Sequence, residues 1–409
     1  MKSNFKIINK CQFCKRKNLN NIVFLGYQPT VNDYTEESAT DSKLFPLSLV
    51  KCINCELFQL REIIDKKILF PKSYPYTSST TKILRDNFKE LSDHLFNQKF
   101  ISKNDLILDI GSNDGNLLSN FKNKSKVLGI TPENIGKKAI KKGIPTIIDY
   151  FNKKTANQIK RKFGKCKIIT ATNVFAHIDN VNDVVQNIKK ILDTKGIFVS
   201  ESHYLPSLIE TLQYDTIYHE HLRYYSVTHL KKLFAKNDME IFDIKKIKTH
   251  GGSIRVFACN KNKYKIKKSV KSILKYEKKM LTEKNLRKFT LKIFENRVKL
   301  LNLLQKIKKS NKSVMAIGAP SRSTTLIHFA GINSDLCEFI FEIEGSHKIG
   351  KFVPANNIKI ISEKFLNKLK PDYLLMFSWH INETLIKKLK NKGYKGKFII
   401  PLPSPKIFK

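Results

Sequence analysis

The segment from Thr216 to Tyr225 reads Thr-Ile-Tyr-His-Glu-His-Leu-Arg-Tyr-Tyr and packs aromatic, basic and acidic side chains closely together. Histidine takes up and releases a proton near neutral pH, and a neighbouring tyrosine or glutamate can orient its ring or polarise a carbonyl group. Tyr218, Glu220 and His221 are therefore candidate catalytic residues. The alternative is an aromatic strand end at which the histidines cap a partly buried edge.

Two cysteine pairs, Cys11-Gln-Phe-Cys14 and Cys52-Ile-Asn-Cys55, are separated by 37 residues. Each pair lets two thiolates from one tight turn hold one side of a tetrahedral ion, and the two turns together complete a closed four-cysteine zinc site. Unrelated buried thiols are the alternative. A closed site leaves no open position for a substrate, so we expect the zinc to stabilise the fold and not to catalyse.

A glycine-bearing turn, Asp109-Ile-Gly-Ser-Asn-Asp-Gly115, follows an apolar strand and is expected to open a helix. Gly111 and Gly115 let the backbone approach a ligand, whereas Asp109 and Asp114 would repel a pyrophosphate. Acidic groups suit a cationic ligand that carries an amino group, and S-adenosylmethionine (SAM) fits this requirement better than NAD. The alternative is an ordinary strand-to-helix turn, because one glycine motif is weak support.

A second polar segment, Thr172-Asn-Val-Phe-Ala-His-Ile-Asp179, follows a later apolar run. In a parallel sheet it would lie at the same ligand-facing edge as the glycine turn. Asn173 and His177 are therefore further candidates for cofactor binding. A helix cap with a partly exposed histidine is the alternative.

The elements that would position these residues predict an α/β chain of several domains, because 409 residues exceed one ordinary core. Short apolar runs alternate with helical segments from about residue 105, as in parallel βαβ units of a Rossmann-like sheet. A second strand-and-glycine pattern starts at Val314. We expect a zinc-binding module (1–72), a central Rossmann-like domain (73–262), a helical connection (263–311) and a C-terminal Rossmann-like domain (312–409).

The formal net charge of +41 would ordinarily suggest nucleic acid as a partner. The basic residues are mostly lysines and are spread over every segment, which is also what a lysine-rich composition gives on solvated surfaces. Arginine, the better phosphate-reading side chain, is scarce. We therefore expect no nucleic-acid partner, although a phosphate-bearing substrate is compatible with the charge.

Location follows from hydropathy and cysteine use. The chain has no run of about twenty apolar residues, and its first residues lack the apolar run of a signal peptide. We expect a cytoplasmic protein without a membrane partner. Seven cysteines in such a setting argue against a disulfide framework, and Cys166, Cys259 and Cys337 are expected in the core.

Taken together, these blocks resemble the three-domain sugar C-methyltransferases of deoxysugar biosynthesis, which place a methyl branch on nucleotide-bound keto sugars. The resemblance covers nearly the whole chain. The blocks that carry it are both cysteine pairs, Tyr74-Pro-Tyr76, the Asp109–Gly115 turn, Asn173–His177, Tyr218–His221, His250-Gly-Gly-Ser-Ile-Arg255 and Gly318-Ala-Pro320.

The resemblance implies that a proton is removed from the carbon beside a keto group, and that the resulting enolate attacks the methyl group of SAM. His221 would be the general base, with Tyr218 and Glu220 lining the same site and Tyr76 reaching in from the loop after the zinc module. Such chemistry needs a base with a pKa near neutrality and hydroxyl donors where negative charge develops on the sugar oxygen.

The resemblance also implies which residues bind the cofactor and which bind the substrate. The residues expected at the cofactor are Asp109, Gly111, Asn113, Asp114, Gly115, Glu133, Asn173 and His177. The residues expected at the substrate are Tyr74, Tyr224, His250, Arg255, Arg322 and Ser323. For His250 and Arg255, a glycine hairpin with a surface arginine is the alternative.

The chain departs from the family pattern at several places, two of which bear on the cofactor and on the sugar nucleotide. Thr131 stands where an acidic residue usually holds the ribose hydroxyls, and whether Glu133 substitutes for it stays open. Ser321-Arg-Ser-Thr-Thr325 replaces a common Ala-Lys-Gly-Asn-Thr after the third glycine turn. The change after the glycine turn falls where a sugar nucleotide would lie, although Arg322 and Ser323 after a strand could hold phosphate.

Two other hypotheses stay open from the sequence. A nucleic-acid (RNA) methyltransferase would explain the charge and the cysteine turns, and it predicts steeply salt-dependent RNA binding. A non-catalytic scaffold that binds SAM or a nucleotide would explain the altered acceptor at Thr131. We expect a monomer or a dimer.

Overall fold

The structure is a computed structural model that describes residues 4–38, 42–70, 79 and 81–409. Within these residues, no helix combines the length and the apolar character that crossing a membrane requires.

The N-terminal module is an antiparallel sheet next to a short strand pair. Strands β2, β3 and β4 are adjacent in the sheet, and β1 pairs with β5. Inward-facing residues such as Val23, Leu25 and Leu49 are buried, as expected when one face of a sheet covers a core. The elements are β1 (Phe5–Ile7), β2 (Leu19–Gln28), β3 (Phe45–Cys52), β4 (Phe58–Leu60), β5 (Glu62–Ile64) and α1 (Lys66–Leu69).

The central part is a Rossmann-like sheet with the strand order β12-β13-β10-β9-β6-β7-β8. Its strands from β6 to β10 run parallel, and β13 runs antiparallel between β10 and β12. The elements are α2 (Lys82–Asn97), β6 (Leu106–Ile110), β7 (Lys126–Thr131), α3 (Gly136–Lys141), β8 (Thr146–Ile148), α4 (Lys153–Phe163), β9 (Cys166–Thr172), α5 (Val181–Ile191), β10 (Leu192–His203), α6 (Leu205–Glu210), β11 (Arg223–Tyr224), α7 (Val227–Ala235), β12 (Met239–Ile247) and β13 (Ser253–Asn260).

Strand β6 shows why these apolar runs form the middle of the sheet. All of its residues are buried, because helices cover both faces of a parallel sheet.

The glycine turn after β6 does not open the helix that we expected. A short 3-10 helix, Leu118–Asn120, follows instead, in a stretch rich in asparagine and serine, which favour caps and turns over helix interiors.

Two helices, α8 (Lys268–Met280) and α9 (Glu283–Lys309), follow the central sheet. The buried face of α9 includes Phe289, Ile293 and Leu300, which cluster with side chains of both the N-terminal sheet and the C-terminal domain. Full burial of each such side chain contributes about 1.5–3 kcal/mol relative to exposure. Helix α9 therefore holds the two ends of the chain together.

The C-terminal part is a second Rossmann-like sheet with the strand order β16-β15-β14-β17-β18-β19, parallel except for β19. The α/β fold with a cysteine-bearing N-terminal module is thus confirmed, whereas the domain boundaries stay a prediction. The elements are β14 (Val314–Ile317), α10 (Ser321–Ala330), β15 (Phe339–Glu342), β16 (Lys359–Ser362), α11 (Leu366–Leu369), β17 (Tyr373–Met376), α12 (Asn382–Asn391), β18 (Lys397–Ile400) and β19 (Lys406–Phe408).

Strand β11 connects the central part to the N-terminal sheet. It begins two residues after His221 and pairs antiparallel with β4, with Arg223 opposite Gln59 and Tyr224 opposite Phe58. The Tyr-His-Glu-His segment is therefore positioned by the N-terminal module as well as by the central sheet.

Candidate active site

The four cysteines of the two turns converge, and their Sγ atoms all lie within 4.8 Å of one another. Sγ of Cys11 is 3.5 Å from Sγ of Cys55, and Sγ of Cys14 is 3.5 Å from Sγ of Cys52. Zn–S bonds of about 2.3 Å in a tetrahedron place sulfur atoms about 3.8 Å apart, so the donor set fits zinc. A hydrogen bond from Cys55 lowers the pKa of Cys11 to about 5, against the effect of burial, and so favours a thiolate ligand.

Gln12, inside the first cysteine turn, joins this cluster to β11. Its side-chain amide donates to the carbonyl oxygens of Leu60 and Leu222, each at 3.3 Å, and its Oε1 accepts from Nη1 of Arg223. Arg223 also donates to the Tyr225 hydroxyl at 3.1 Å. The zinc turn thus contacts the segment that immediately follows His221.

His221 is buried, and a backbone carbonyl fixes its ring. Nδ1 lies 2.9 Å from the carbonyl oxygen of Thr216, so Nδ1–H donates to it and Nε2 is the basic nitrogen. The His221 ring is 4.0 Å from the Tyr218 ring, centroid to centroid. Burial lowers the pKa of His221 well below its ordinary value, so the ring is neutral at neutral pH.

Three more histidines surround this ring. The centroids of His177 and His203 each lie 4.9 Å from that of His221, and His250 lies 5.4 Å from His203. Burial lowers the pKa of His177 and of His250 to about 4, and it lowers the pKa of His203 well below its ordinary value. The four rings are therefore neutral at neutral pH, and the pKa of the expected base His221 lies below the near-neutral value expected from the sequence.

Glu220 contacts the cluster through its backbone and its carboxylate. Its carbonyl oxygen accepts a hydrogen bond from Nδ1 of His177 at 2.7 Å, which leaves Nε2 as the basic nitrogen of His177. Its Oε1 accepts from the side-chain amide of Asn32 at 2.7 Å. The structure thus brings together Tyr218, Glu220, His221 and His177, which were predicted from separate motifs.

Tyr224 and His219 have structural contacts. The Tyr224 hydroxyl donates to the Thr216 carbonyl and accepts from the Tyr218 amide, each at 3.3 Å, and the ring is buried. Nε2 of His219 is 3.1 Å from the Pro46 carbonyl oxygen in β3. Tyr224 thus fixes the loop between Thr216 and Tyr218, and its contact with substrate stays a prediction.

The predicted cofactor residues lie at the carboxyl edge of the central sheet. A Cβ on Gly111 would come within 2.7 Å of Val174, so the turn after β6 packs its backbone directly on the turn after β9. Oδ1 of Asp109 accepts from the Thr170 hydroxyl at 2.6 Å, and burial raises the pKa of Asp109 to about 7. Asp109 thus braces β6 against β9 beneath the turn.

The remaining cofactor candidates frame the same edge. Asn113, Gly115 and Asn173 have positive φ, so all three lie in turns and not in helices. The helix-cap alternative for Asn173 and His177 is wrong, because α5 begins later and is capped by Asn180. Oδ2 of Asp114 accepts from Nζ of Lys142 at 3.1 Å, so its charge is partly neutralised.

Glu133 follows β7 at the edge where the ribose acceptor was expected. The Thr131 hydroxyl donates to its carboxylate. Thr131 is buried, whereas Glu133 is partly accessible. The pair therefore offers an oriented carboxylate although the strand itself ends in threonine.

Arg322 is held by the central part of the chain. Its Nε and Nη2 donate to the two carboxylate oxygens of Asp215, each at 2.8 Å, and its guanidinium lies 4.8 Å from the Trp379 ring centroid. Nε1 of Trp379 donates to the same Asp215 at 2.8 Å. The hydroxyl of Ser323 donates to the Pro320 carbonyl at 2.7 Å. These contacts weigh against both residues as phosphate ligands.

Arg255 is also enclosed and is not a surface residue, so the surface-arginine alternative is wrong. Its guanidinium donates to Glu201, to Glu90 at 2.6 Å and to the side-chain oxygen of Asn87 at 3.1 Å. It ties β13 to β10 and to α2. This set of partners weighs against the predicted contact of Arg255 with substrate.

Tyr74 and Tyr76, predicted at the substrate and at the reacting carbon, lie outside the described residues.

Family models match three consecutive parts of the chain. They describe a zinc binding domain over residues 11–70, a methyltransferase domain over residues 76–243 and a C-methyltransferase C-terminal domain over residues 248–403. Over 410 residues, the chain is 28% identical to the C-methyltransferase NovU of Streptomyces niveus, which covers 98% of this chain and 97% of that protein. The chain is a SAM-dependent C-methyltransferase.

Solved structures similar to parts of the methyltransferase include magnesium protoporphyrin IX methyltransferase from Synechocystis PCC 6803 with bound SAM. It is 12% identical and covers 43% of this chain and 79% of its own, with a TM-score of 0.33. A SAM-dependent methyltransferase from Clostridium acetobutylicum is 13% identical and covers 44% of this chain and 96% of its own, with a TM-score of 0.34.

The predictions of a C-methyltransferase, of SAM as cofactor and of a zinc-binding N-terminal module are confirmed. The residues that fit SAM are those at the carboxyl edge of the central sheet, where the partly accessible carboxylate of Glu133 is oriented by Thr131, whereas the N–H of Gly111 already donates to the Ile130 carbonyl at 2.8 Å. The cysteine cluster fits a structural zinc ion. Individual roles of the site residues stay predictions.

Sequence reasoning missed three residues of the methyltransferase site: Asn32, His203 and Asp215. His203 could have been found, because it ends β10 at the same sheet edge as the glycine turn. Asn32 and Asp215 belong to none of the sequence motifs described above. They meet Glu220 and Arg322 only because distant segments pack together.

Proposed function

We propose that the methyltransferase transfers the methyl group of SAM to a carbon beside a keto group of a nucleotide-linked sugar, through an enolate. The observation that carries the proposal is the orientation of His221. Its Nδ1–H bond to the Thr216 carbonyl presents Nε2 as a proton acceptor, and the neutral ring lies 4.0 Å from the Tyr218 ring.

In this proposal, Nε2 of His221 takes the proton from the carbon, and the electron pair of the broken C–H bond forms the enolate. When bound, SAM supplies a methyl group that its positive sulfur makes electrophilic. The Tyr218 hydroxyl donates to the sugar oxygen as negative charge develops there, because a donor aimed at that charge stabilises the transition state. The imidazolium of His221 releases its proton to solvent after each turnover.

His177 has a different role in the proposal. Its Nδ1–H is committed to the Glu220 carbonyl, so its Nε2 can accept a hydrogen bond but cannot donate one while the ring is neutral. Burial keeps the pKa of His177 at about 4, which maintains the neutral form. We therefore expect His177 to accept from a sugar hydroxyl and not to stabilise an enolate oxygen.

The nucleotide-linked character of the substrate is supported by the C-terminal sheet. Its order β16-β15-β14-β17 reverses direction beside β14, and ligands of open α/β sheets bind at such a point. The turn Gly318-Ala319 lies there, and the backbone N–H of Ala319 donates to the Glu342 carboxylate. Because Arg322 is already paired with Asp215, phosphate recognition is expected to use other groups at this edge.

The test is turnover of SAM by zinc-loaded protein with a panel of keto-sugar nucleotides, with RNA as a separate substrate. We expect methylated sugar as the product. Without SAM, we expect deuterium uptake from heavy water at the reacting carbon, because the enolate forms first.

His221→Ala should lower both the deuterium uptake and kcat by about 10²–10⁴-fold, the range of general-base catalysis, while SAM still binds. His347→Ala, at an exposed histidine of the C-terminal domain, is the control and should match wild type. Wild-type rates for His221→Ala would remove it as the base. Methylation of RNA alone would refute the sugar proposal.

A further inference from the structure

We propose that Asn32 is a positioning residue that holds the Glu220 carboxylate and links it to helix α10 of the C-terminal domain through Ser321. The inference rests on the proposed function, because it gives the Tyr-His-Glu-His segment a link to the domain expected to bind the nucleotide.

Hydrogen-bond chemistry fixes the orientation of the Asn32 amide. Nδ2 of Asn32 donates to Oε1 of Glu220 at 2.7 Å, and a carboxylate can only accept. Oδ1 of Asn32 accepts from the Ser321 hydroxyl at 2.9 Å. One amide thus joins a donor on one side to an acceptor on the other, and the reverse orientation would place two acceptors together.

The three residues belong to separate parts of the chain. Asn32 lies between β2 and β3 of the N-terminal module, 188 residues from Glu220 and 289 residues from Ser321. Ser321 is the first residue of α10.

The position of Glu220 affects two histidine rings. Its carbonyl holds Nδ1 of His177 at 2.7 Å, and its neighbour in the chain is His221. A shift of the carboxylate would therefore move both rings relative to the reacting carbon. A misplacement of about 1 Å at such a site can lower a rate by about 10²-fold.

Loss of this link and loss of an ordinary contact between domains should change different measured properties. A purely structural contact would affect stability and leave the kinetic constants of folded protein unchanged. A positioning link affects kcat while the KM for SAM stays constant, because the cofactor edge is formed by other residues.

The kinetic test compares Asn32→Ala, Ser321→Ala and the double variant, with Asp33→Ala as the control at an exposed neighbouring side chain. We expect kcat to fall about 10- to 100-fold in Asn32→Ala and about 3- to 10-fold in Ser321→Ala. The double variant should match Asn32→Ala within about twofold, because both changes break one link. The KM for SAM should stay within about twofold. Additive losses would overturn the link to α10.

Asn32→Asp gives a signature that a structural role would not produce. It preserves the acceptor for Ser321 but places a second carboxylate against Glu220, and two such groups share one proton as the pH falls. Within the part of the chain that the structure describes, His177 at the Glu220 carbonyl and the nearby Tyr218, His219 and His221 are titratable, and wild type shares them all. We therefore expect the ratio of kcat for Asn32→Asp to that of wild type to rise by about threefold or more from pH 8 to pH 6. A constant ratio would contradict the proposal.

A substrate-free measurement separates this inference from the proposed function. Hydrogen–deuterium exchange of residues 214–222 should be faster in Asn32→Ala and in Ser321→Ala than in Asp33→Ala or wild type. If no keto-sugar nucleotide is methylated, the proposed function fails, but faster exchange still supports the link. Unchanged exchange in both variants would overturn the link whatever the substrate.

Discussion

Arg322 and Asp215 form a bidentate ion pair, with Nε and Nη2 each 2.8 Å from a different carboxylate oxygen. The two side chains are 7% and 1% exposed. The pair joins α10 of the C-terminal domain to the 3-10 helix Tyr214–Thr216, whose last residue supplies the carbonyl that orients His221. One buried contact thus holds the domains together next to the proposed base.

Removal of Arg322 should destabilise the protein strongly. Arg322→Met leaves the buried Asp215 carboxylate with the Trp379 indole as a remaining donor, and an uncompensated buried charge typically costs about 3–5 kcal/mol. Urea unfolding measures this loss. Combining Arg322→Met with Asp215→Asn should cost less than the sum of the single changes, because the charge is then removed as well.

The matched control is the exposed pair Lys299 and Glu295 on α9, which are 61% and 60% exposed. Lys299→Ala should change the free energy of unfolding by less than about 0.5 kcal/mol. Equal losses for Lys299→Ala and Arg322→Met would contradict the assignment of Arg322 as a residue that joins the domains.

Removal of zinc should abolish turnover because the segment that carries His221 loses its position, and not because zinc takes part in the reaction. The cysteine cluster holds the turn that contains Gln12, which contacts Leu222 and Arg223 of the segment after His221. A chelator should therefore release zinc and lower kcat, with partial recovery when zinc is added back. Zinc content and methyl transfer are measured on the same samples.

Gln12→Ala removes the contact between the zinc turn and β11 but leaves the four cysteine ligands in place. The side chain is not a ligand, so the zinc content should be unchanged while kcat falls by about tenfold or more through misplacement of His221. Glu56→Gln is the control, since Glu56 lies beside Cys55 and its carboxylate pairs with Lys232 at the surface. Wild-type kcat for Gln12→Ala would show that β4 alone positions β11.

Glu133 should carry affinity for SAM that Thr131 alone could not provide. Glu133→Gln removes the charge from a carboxylate that the Thr131 hydroxyl orients. Hydrogen bonds to charged groups contribute about 1.5–3 kcal/mol, so the Kd for SAM should rise about 10- to 100-fold. Thr131→Val should raise it less, and Glu295→Gln should not change it. Calorimetric titration with SAM distinguishes these outcomes.

Buried histidines should make stability depend on pH. Burial lowers the pKa of His219 to about 4 in the folded protein, below its value near 6.5 in an unfolded chain. The unfolded state then binds more protons between these values, so stability is fully present above about pH 6.5 and falls as the pH drops towards 4. Urea unfolding between pH 7.5 and pH 4.5 measures the slope.

His219→Gln should remove one histidine's part of that slope, at most about 1.4 kcal/mol per pH unit, because glutamine does not titrate. Glutamine can still donate to the Pro46 carbonyl, so the fold should persist. His347→Gln, at an exposed position, should leave more of the slope in place. Equal slopes in wild type and His219→Gln would mean that His219 is not neutral in the folded protein.

Much of the fold was predictable because local patterns determine it. The buried run of β6 and the paired glycines after it indicated a parallel sheet with a ligand edge, and the strands formed where the apolar runs stand. The helix expected after Gly115 did not form. Glycine, asparagine and serine there favour turns, and this local preference outweighed the tendency of Rossmann-like folds to begin a helix after the glycine turn.

The site was predictable only where a motif concentrates chemistry in one stretch. His177 follows β9 of the central sheet, whereas Glu220 and His221 precede β11 of the N-terminal sheet, so packing between these parts brings them together. Arg322 illustrates the limit: a basic side chain after a strand suggested phosphate binding, but it lies against Asp215 in a segment that carries no motif.

The sequence by itself determined the chemistry of this methyltransferase: four cysteines spaced for zinc, a glycine turn suited to SAM, and a histidine segment suited to proton abstraction. Residue type and local spacing suffice for these features, since each is made within one or two short segments. Only the tertiary structure decided which side chains are already paired inside the protein. Asn32 reaches Glu220 across 188 residues of chain, and Arg255 is enclosed by Glu201 and Glu90. Such pairings depend on how domains pack, and no local pattern encodes that packing.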